Sequence, residues 1–441
     1  MPQANPPAPA ATIILKPGKD QSPRRRHPWV FSGAIARLVG AAVEGDAVRV
    51  EDSRGELLGT GHYSPGGSIA VRLFDFGPAA QLPSSAFWEA RLRNAYRLRQ
   101  SLGLVNHQLP FSDYQPARQS DSLQLASHDQ APGTNVYRLT HAEGDGLPGL
   151  IIDVYGDVAV LQAHSVGMYR ARHELAAALR AVLGENLRAV YDKSAETVPA
   201  AALAEAPRNG YLLGAGTEAE HRVVENGHAF VVDWETGQKT GFFIDQRDNR
   251  ALLARYAPGR RVLNTFGYTG GFSVYALAAG AALVHSVDAS KRAIELTERN
   301  VALNAEAGAG PGSWEPGRHE AFAQDVQHFF KNPVSEEQYD LIILDPPAYA
   351  KHLSARHNAL MGYKRLNMSG LKHLAPGGLL FTFSCSQVVS PELFEGAVLA
   401  AAIEAGRPAR ILHRLTQPAD HPVSLFHPEG AYLKGLVLAV E

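Results

Sequence analysis

Cysteine is almost absent from this sequence: Cys385 is the only one in 441 residues. A single thiol excludes an intrachain disulfide framework, and no Cys/His spacing resembles a zinc site, so no metal is expected. The thiol serves either packing or chemistry. Long apolar runs are missing too, because no stretch supplies the roughly 18 uninterrupted apolar residues of a membrane helix. The opening MPQANPPAPA has neither a basic start nor an apolar core, so residues 1–11 read as a flexible head and not a secretory signal. Those absences point to a cytoplasmic protein with no membrane partner. Nor is there an excess of one charge: the formal net charge is −2, which argues against a uniformly basic coat for nucleic acid.

What is present is a globular composition, 45% hydrophobic and 20% charged, in a chain long enough for two or three cores. One basic patch stands out. Lys16, Lys19, Arg24, Arg25, Arg26 and His27 run into Trp29 and Phe31, a pairing of cations with aromatic faces that suits RNA, though a solvated surface loop has the same composition. Residues 12–85 read as a small β-domain from short alternating stretches such as Ala47 to Glu51 and Ile69 to Phe74. Residues 86–217 read as a central α+β domain with a polar, aperiodic insertion at 101–135. In that domain Gly149 to Val154 and Val158 to His164 are predicted strands, and Tyr169 to Leu183 is a predicted helix.

Residues 218–441 alternate strands and helices. Predicted strands are Arg261 to Thr265, Leu283 to Asp288, Glu320 to Gln324, Tyr339 to Leu344 and Leu379 to Ser384, with helices between them, one capped by Ser290. That order gives an α/β fold with a doubly wound, mostly parallel sheet, whose ligands bind beyond the C-terminal strand ends. The stretch from Asn264 through Phe266, Tyr268 and Gly270 leaves a strand and enters a helix through glycines, which let backbone amides approach a ligand. Its spacing is not the dinucleotide pattern G-x-G-x-x-G, which counts against NAD. Asp288 ends the next strand, where a carboxylate can accept from ribose hydroxyls. Asp325 ends the third, where an acid and the Val326 amide can read adenine. Each acid alone is more often a helix cap, but three such features at successive strand ends indicate an S-adenosyl-L-methionine site.

At the fourth strand end stands Asp345-Pro346-Pro347-Ala348-Tyr349. Two prolines forbid helix and ladder alike, so the chain leaves the sheet as a rigid corner; its bland reading is a strand terminator. Cys385, in Phe383-Ser384-Cys385-Ser386, closes the fifth strand. Alone it reads as a small buried hydrophobe, but neighbouring strands end side by side, so Cys385 and Asp345 should face one crevice.

With these strings assembled, RRRHPWVFSGAI, EGDGLPGLIID, KTGFFIDQRDNR, NTFGYTGGF, DPPAY, GYKRLN, FSCS, ADHPV and PEGAYLKG resemble the bacterial large-subunit ribosomal RNA cytosine-C5 methyltransferases. The resemblance spans nearly the whole chain, except for the insertion at 101–135, and related enzymes often carry Lys-Phe in place of Ala348-Tyr349. It implies that residues 12–85 are a PUA domain and that 218–441 are a Rossmann-like methyltransferase domain using S-adenosyl-L-methionine. It implies that Phe243, Gln246, Arg247, Asn264, Phe266, Tyr268 and Gly270 line the cofactor site, with Asp288 and Ser290 at ribose, Asp325 and Val326 at adenine, and Asp345 at the reaction centre. Arg24, Arg25, Arg26, Trp29, Pro346, Pro347 and Tyr349 would contact RNA, Tyr349 by stacking on an unstacked base. Cys385 would attack carbon 6 of cytosine, and Asp345 would hydrogen-bond N3. Expected partners are 23S-like ribosomal RNA or a ribosomal assembly intermediate, with a homodimer left open. Two rivals remain at this point: an amino- or guanine-N-methyltransferase that uses the Asp-Pro-Pro corner without a cysteine, and a catalytically silent RNA-binding protein.

Overall fold

The computed structural model describes residues 11–105, 133–199, 208–217, 220–306, 314, 317–333 and 338–441. Nearly all of the expected head and most of the expected insertion at 101–135 lie outside the described residues. Six strands make the first sheet, in the spatial order Trp29–Phe31, Ile69–Phe76, Leu57–Tyr63, Ala47–Glu51, Thr12–Leu15 and Ile35–Val39. Alternation explains it: Val48 and Val50 face inward with Ile13, Leu15, Val30 and Val71, while Arg49 between them is exposed.

A helix over Ser85–Ser101, for which the sequence reading made no provision, follows. Ser84 caps it by accepting the Phe87 amide at 3.2 Å, and its Trp88, Leu92 and Tyr96 fill the middle core. The middle sheet has five strands in the order Gly210–Leu213, Ala189–Asp192, Val158–Ala163, Leu150–Tyr155 and Val136–His141. Its outer two were not expected, whereas the strands predicted at Gly149 to Val154 and Val158 to His164 are present and pair antiparallel. The expected helix from Tyr169 to Leu183 is two, Val166–Arg170 and Arg172–Leu183.

The third sheet positions the chemistry. Its strands, in chain order, are β1 (Arg261–Thr265), β2 (Leu283–Asp288), β3 (His319–Ala323), β4 (Tyr339–Leu344), β5 (Leu374–Ser384), β6 (Ala409–Leu415) and β7 (Lys434–Val440). They lie in the order β3-β2-β1-β4-β5-β7-β6, parallel except for β7, which pairs antiparallel with β5 and β6. Leu341, Ile342, Ile343 and Leu344 are wholly buried, as expected of a central parallel strand covered on both faces. Register aligns Thr265 with Val287 and Leu344, and Leu344 with Thr382. The chain reverses direction in strand order between β1 and β4, which opens the ligand crevice there. No helix among the described residues is long and apolar enough to cross a membrane.

Candidate active site at the strand ends

The loop after β1 carries unusual backbone. Phe266, Tyr268 and Gly270 all have positive φ, at 58°, 46° and 75°, a conformation that costs non-glycine residues energy and persists where the surroundings impose it. The Tyr268 amide donates to Asp288 Oδ2 at 3.1 Å, and the Ser290 amide to Oδ1 at 2.9 Å. A carboxylate has about four lone-pair sites, so Asp288 is held in place with capacity left for ribose hydroxyls. Phe243 meets Tyr268 edge to face, 5.0 Å between centroids. Asp325 caps the helix Val326–Lys331, accepting the His328 amide at 3.0 Å through Oδ1. Asn264 lies in the interior, donating to Ser273 Oγ at 2.8 Å, and supports the loop from beneath. The strained loop, the anchored Asp288 and the aromatic pair fit a nucleoside-bearing cofactor.

Gly270 admits no side chain: a Cβ there would come within 2.7 Å of Thr297 Cγ2. Gly270→Ala is therefore expected to cost about 1–3 kcal/mol of local strain and to weaken S-adenosylhomocysteine binding about tenfold or more, which calorimetry reads directly.

Asp345 and Cys385, the residues expected at the reaction centre, directly follow the neighbouring strands β4 and β5. Gln246 Nε2 donates to Asp345 Oδ2 at 3.0 Å, and Asn249 Nδ2 donates to Gln246 Oε1 at 2.6 Å, which fixes the amide's orientation. Burial raises the Asp345 carboxyl to about 7, Asp245 nearby adds to the rise, and Gln246 opposes it. Cys385 is half-buried; burial pushes its thiol up, Lys239 pulls it down, and Asp345 and Asp245 push it up again. It lines a cavity of about 490 Å³ together with Lys239, Phe243, Asp245, Ser386 and Tyr432.

Asp245, Lys239 and Lys434 are among the nearby residues that escaped the sequence reading. Asp245 sits inside FFIDQR, but only a 3-10 turn over Ile244–Gln246 brings its carboxylate to the cavity. Lys239 precedes it in the same motif. Lys434 is placed opposite Ser384 by the β5–β7 register and donates to the carbonyls of Ser386 and Val389 at 2.6 and 2.8 Å, pinning the segment that carries Cys385.

Other expected residues lie elsewhere. Arg247 turns away from Gln246, since consecutive helical residues diverge by about 100°, and pairs in the interior with Asp420 at 2.5 Å. Trp29 is half-buried: its indole N–H donates to Glu143 at 2.9 Å and its ring packs on His427, joining the first domain to the others. Arg24 is occupied by Asp20, Asp52 and Glu56. Arg25 and Arg26 are exposed. Tyr349 lies against Tyr363, 4.7 Å between centroids, and is absent from the lining of the Cys385 cavity. Pro346 is buried and Pro347 exposed.

Two family profiles match the chain, a PUA-like domain over residues 13–76 and an S-adenosylmethionine-dependent methyltransferase over residues 207–437. The ribosomal RNA large subunit methyltransferase I of Alteromonas mediterranea is 39% identical over 98% of this chain and 99% of its own. That of Escherichia coli (strain SMS-3-5 / SECEC) is 36% identical over 97% and 99%. The chain belongs to the ribosomal RNA large subunit methyltransferase I family. A candidate SAM-dependent methyltransferase from Streptococcus mutans shares the fold, with a TM-score of 0.75 at 22% identity over 97% of this chain and 99% of its own. So does a second candidate methyltransferase solved in complex with SAH, with a TM-score of 0.75 at 23% identity over the same shares. The first sheet is accordingly the PUA-like domain, and the cofactor is S-adenosyl-L-methionine.

Proposed function

We propose that this methyltransferase forms 5-methylcytosine in large-subunit ribosomal RNA through a transient bond between Cys385 and carbon 6 of the base. The observation that carries the reading is the chain's one thiol lining a cavity, with Asp345, whose carboxyl is raised to about 7, outside that lining but near enough for its charge to act on the thiol. Carbon 5 of cytosine is a weak nucleophile, and addition at carbon 6 is the remedy. The Cys385 thiolate forms the S–C6 bond, and the displaced electron pair makes carbon 5 nucleophilic. Asp345, in its protonated form, donates a hydrogen bond to N3 and stabilises the charge that gathers there. When bound, S-adenosyl-L-methionine supplies an electrophilic methyl group. After carbon 5 has been methylated it loses its proton to a base, the S–C6 bond breaks and the thiolate is regenerated. Lys239 favours the thiolate, and Lys434 holds its backbone.

Mapping 5-methylcytosine in large-subunit ribosomal RNA from cells with and without the gene tests the product. One site is expected to vanish on deletion and return with the wild-type chain; an unchanged map overturns the reading.

Gln246 gives a second check. Its hydrogen bond stabilises the ionised Asp345, so Gln246→Leu raises the carboxyl further above about 7. If protonated Asp345 serves N3, activity falls as pH rises through that value. The alkaline limb of kcat/KM is then expected to move up by about half a pH unit or more in Gln246→Leu, since a hydrogen bond is worth about 1 kcal/mol. A limb that stays or moves down removes Asp345 from this role.

A further inference from the structure

Asp245 is the least explained group near the reaction centre. It is 7% exposed and lines the Cys385 cavity. Its Oδ2 accepts the Tyr432 hydroxyl at 2.6 Å, while its Oδ1 is buried with no hydrogen-bond partner among the described residues. An unpaired carboxylate oxygen in the interior is costly, and such groups survive where a ligand completes them.

We propose that Asp245 reads the exocyclic amine of the target cytosine, accepting an N4 hydrogen on Oδ1 while Asp345 donates to N3, so that the two carboxyls together select cytosine over uracil. The inference rests on the C5-cytosine reading above. Cytosine presents a donor at N4 beside an acceptor at N3, and a carboxylate accepting from N4 is a recurrent way to recognise that base. Uracil presents O4 and N3–H, the reverse pattern, and would set an acceptor against the Asp245 carboxylate and a donor against the protonated Asp345.

The surroundings divide the two carboxyls in the way this scheme needs. Burial works against ionising Asp245, but Lys239, His421, the Tyr432 hydroxyl and Arg138 outweigh it and hold the carboxyl below its ordinary range. Asp345, which feels the charge of Asp245, is pushed the opposite way. One acid is thus held as an acceptor while its neighbour keeps a proton to donate up to about pH 7, the separation by environment that assigns roles to paired carboxyls. Tyr432, on the loop that leads into β7, keeps Asp245 in place.

The test uses the full chain and large-subunit ribosomal RNA transcripts bearing either cytosine or uracil at the mapped position. A site built to hydrogen-bond one partner rejects the mismatched analogue by roughly 10⁴-fold, and the wild type is expected to show a preference of that order in kcat/KM. Asp245→Asn presents an amide that can face either base, so the preference is expected to fall by at least about 100-fold, with S-adenosylhomocysteine affinity kept as the sign of an intact fold. Tyr432→Phe, which removes only the hydroxyl that orients Asp245, is expected to lower the preference by about tenfold. An Asp245→Asn enzyme that binds S-adenosylhomocysteine and still discriminates as the wild type does overturns the proposal. If Asp245→Asn does not fold, an unchanged preference in Tyr432→Phe overturns it instead. Failure of the underlying reading looks different: Cys385→Ala would then go on methylating the cytosine transcript.

Discussion

Cys385→Ala is expected to reduce methyl transfer by about 10³–10⁶-fold, the range seen when a covalent nucleophile is removed, while S-adenosylhomocysteine affinity stays within about twofold. The sequence and the structure separate those effects. Cys385 stands on the β5 side of the crevice, whereas the strained loop and Asp288 that fit the cofactor lie at β1 and β2. Removing one half-buried sulfur costs about 1 kcal/mol of packing, too little to unfold the domain. An enzyme that methylates an exocyclic nitrogen directly needs no thiol, so retained transfer in Cys385→Ala would return that alternative. A silent RNA-binding relative would show no cofactor affinity in either form. RNA containing 5-fluorocytosine gives a second readout, because the carbon 5 fluorine cannot leave as a proton. The wild type should accumulate a protein–RNA adduct that survives denaturation, and Cys385→Ala should form none.

Much of this site could be read in the sequence because it sits where sequence periodicity is strongest. Apolar strands that end in Asp288, Asp345 and Cys385 announce both the parallel sheet and the edge at which its ligands bind. Side-chain direction was harder to read. Gln246 and Arg247 are adjacent in one motif, yet one meets Asp345 and the other Asp420, because a turn entering a helix splays neighbours apart. Long-range closure was harder still. Trp29 carries the composition of an RNA contact, but its partners Glu143 and His427 come from two other parts of the chain, and no local pattern announces them. Lys434 reaches the Cys385 segment only through the antiparallel return of β7. The helix Ser85–Ser101 has polar and charged residues over much of its surface, and its Trp88 and Leu92 become legible as core only against the middle sheet. Local pattern placed the strand ends; tertiary contacts decided which side chains meet there.

The same closure underlies the largest expected stability effect. Asp420, wholly buried, pairs with Arg247 at 2.5 Å, accepts the Arg138 amide at 2.9 Å, and lies 3.0 Å from His421 Nδ1. Its backbone carbonyl accepts Arg99 Nη2 at 2.7 Å, and Arg99 also pairs with Asp145. One residue thus ties the methyltransferase domain to the helix Ser85–Ser101 and to the middle sheet. Asp420→Ala strands the Arg247 guanidinium in the interior, and breaking a buried pair from one side costs about 3–5 kcal/mol. The urea midpoint is expected to fall accordingly, with an unchanged slope. The pH dependence has a definite sign. Burial alone would raise the Asp420 carboxyl, but His421 and Arg247 hold it far below the ordinary carboxylate range. A carboxyl depressed in the folded state stabilises fully above its unfolded value, about 3.9, and loses that contribution as pH falls below it. The gap between wild type and Asp420→Ala should therefore be flat from about pH 5 to 8 and should narrow in acid. The loss should also reach the chemistry, because Arg247 directly follows Gln246, whose amide positions Asp345. A stable Asp420→Ala enzyme with unaltered activity would show that Gln246 keeps its place without Arg247 to anchor the turn.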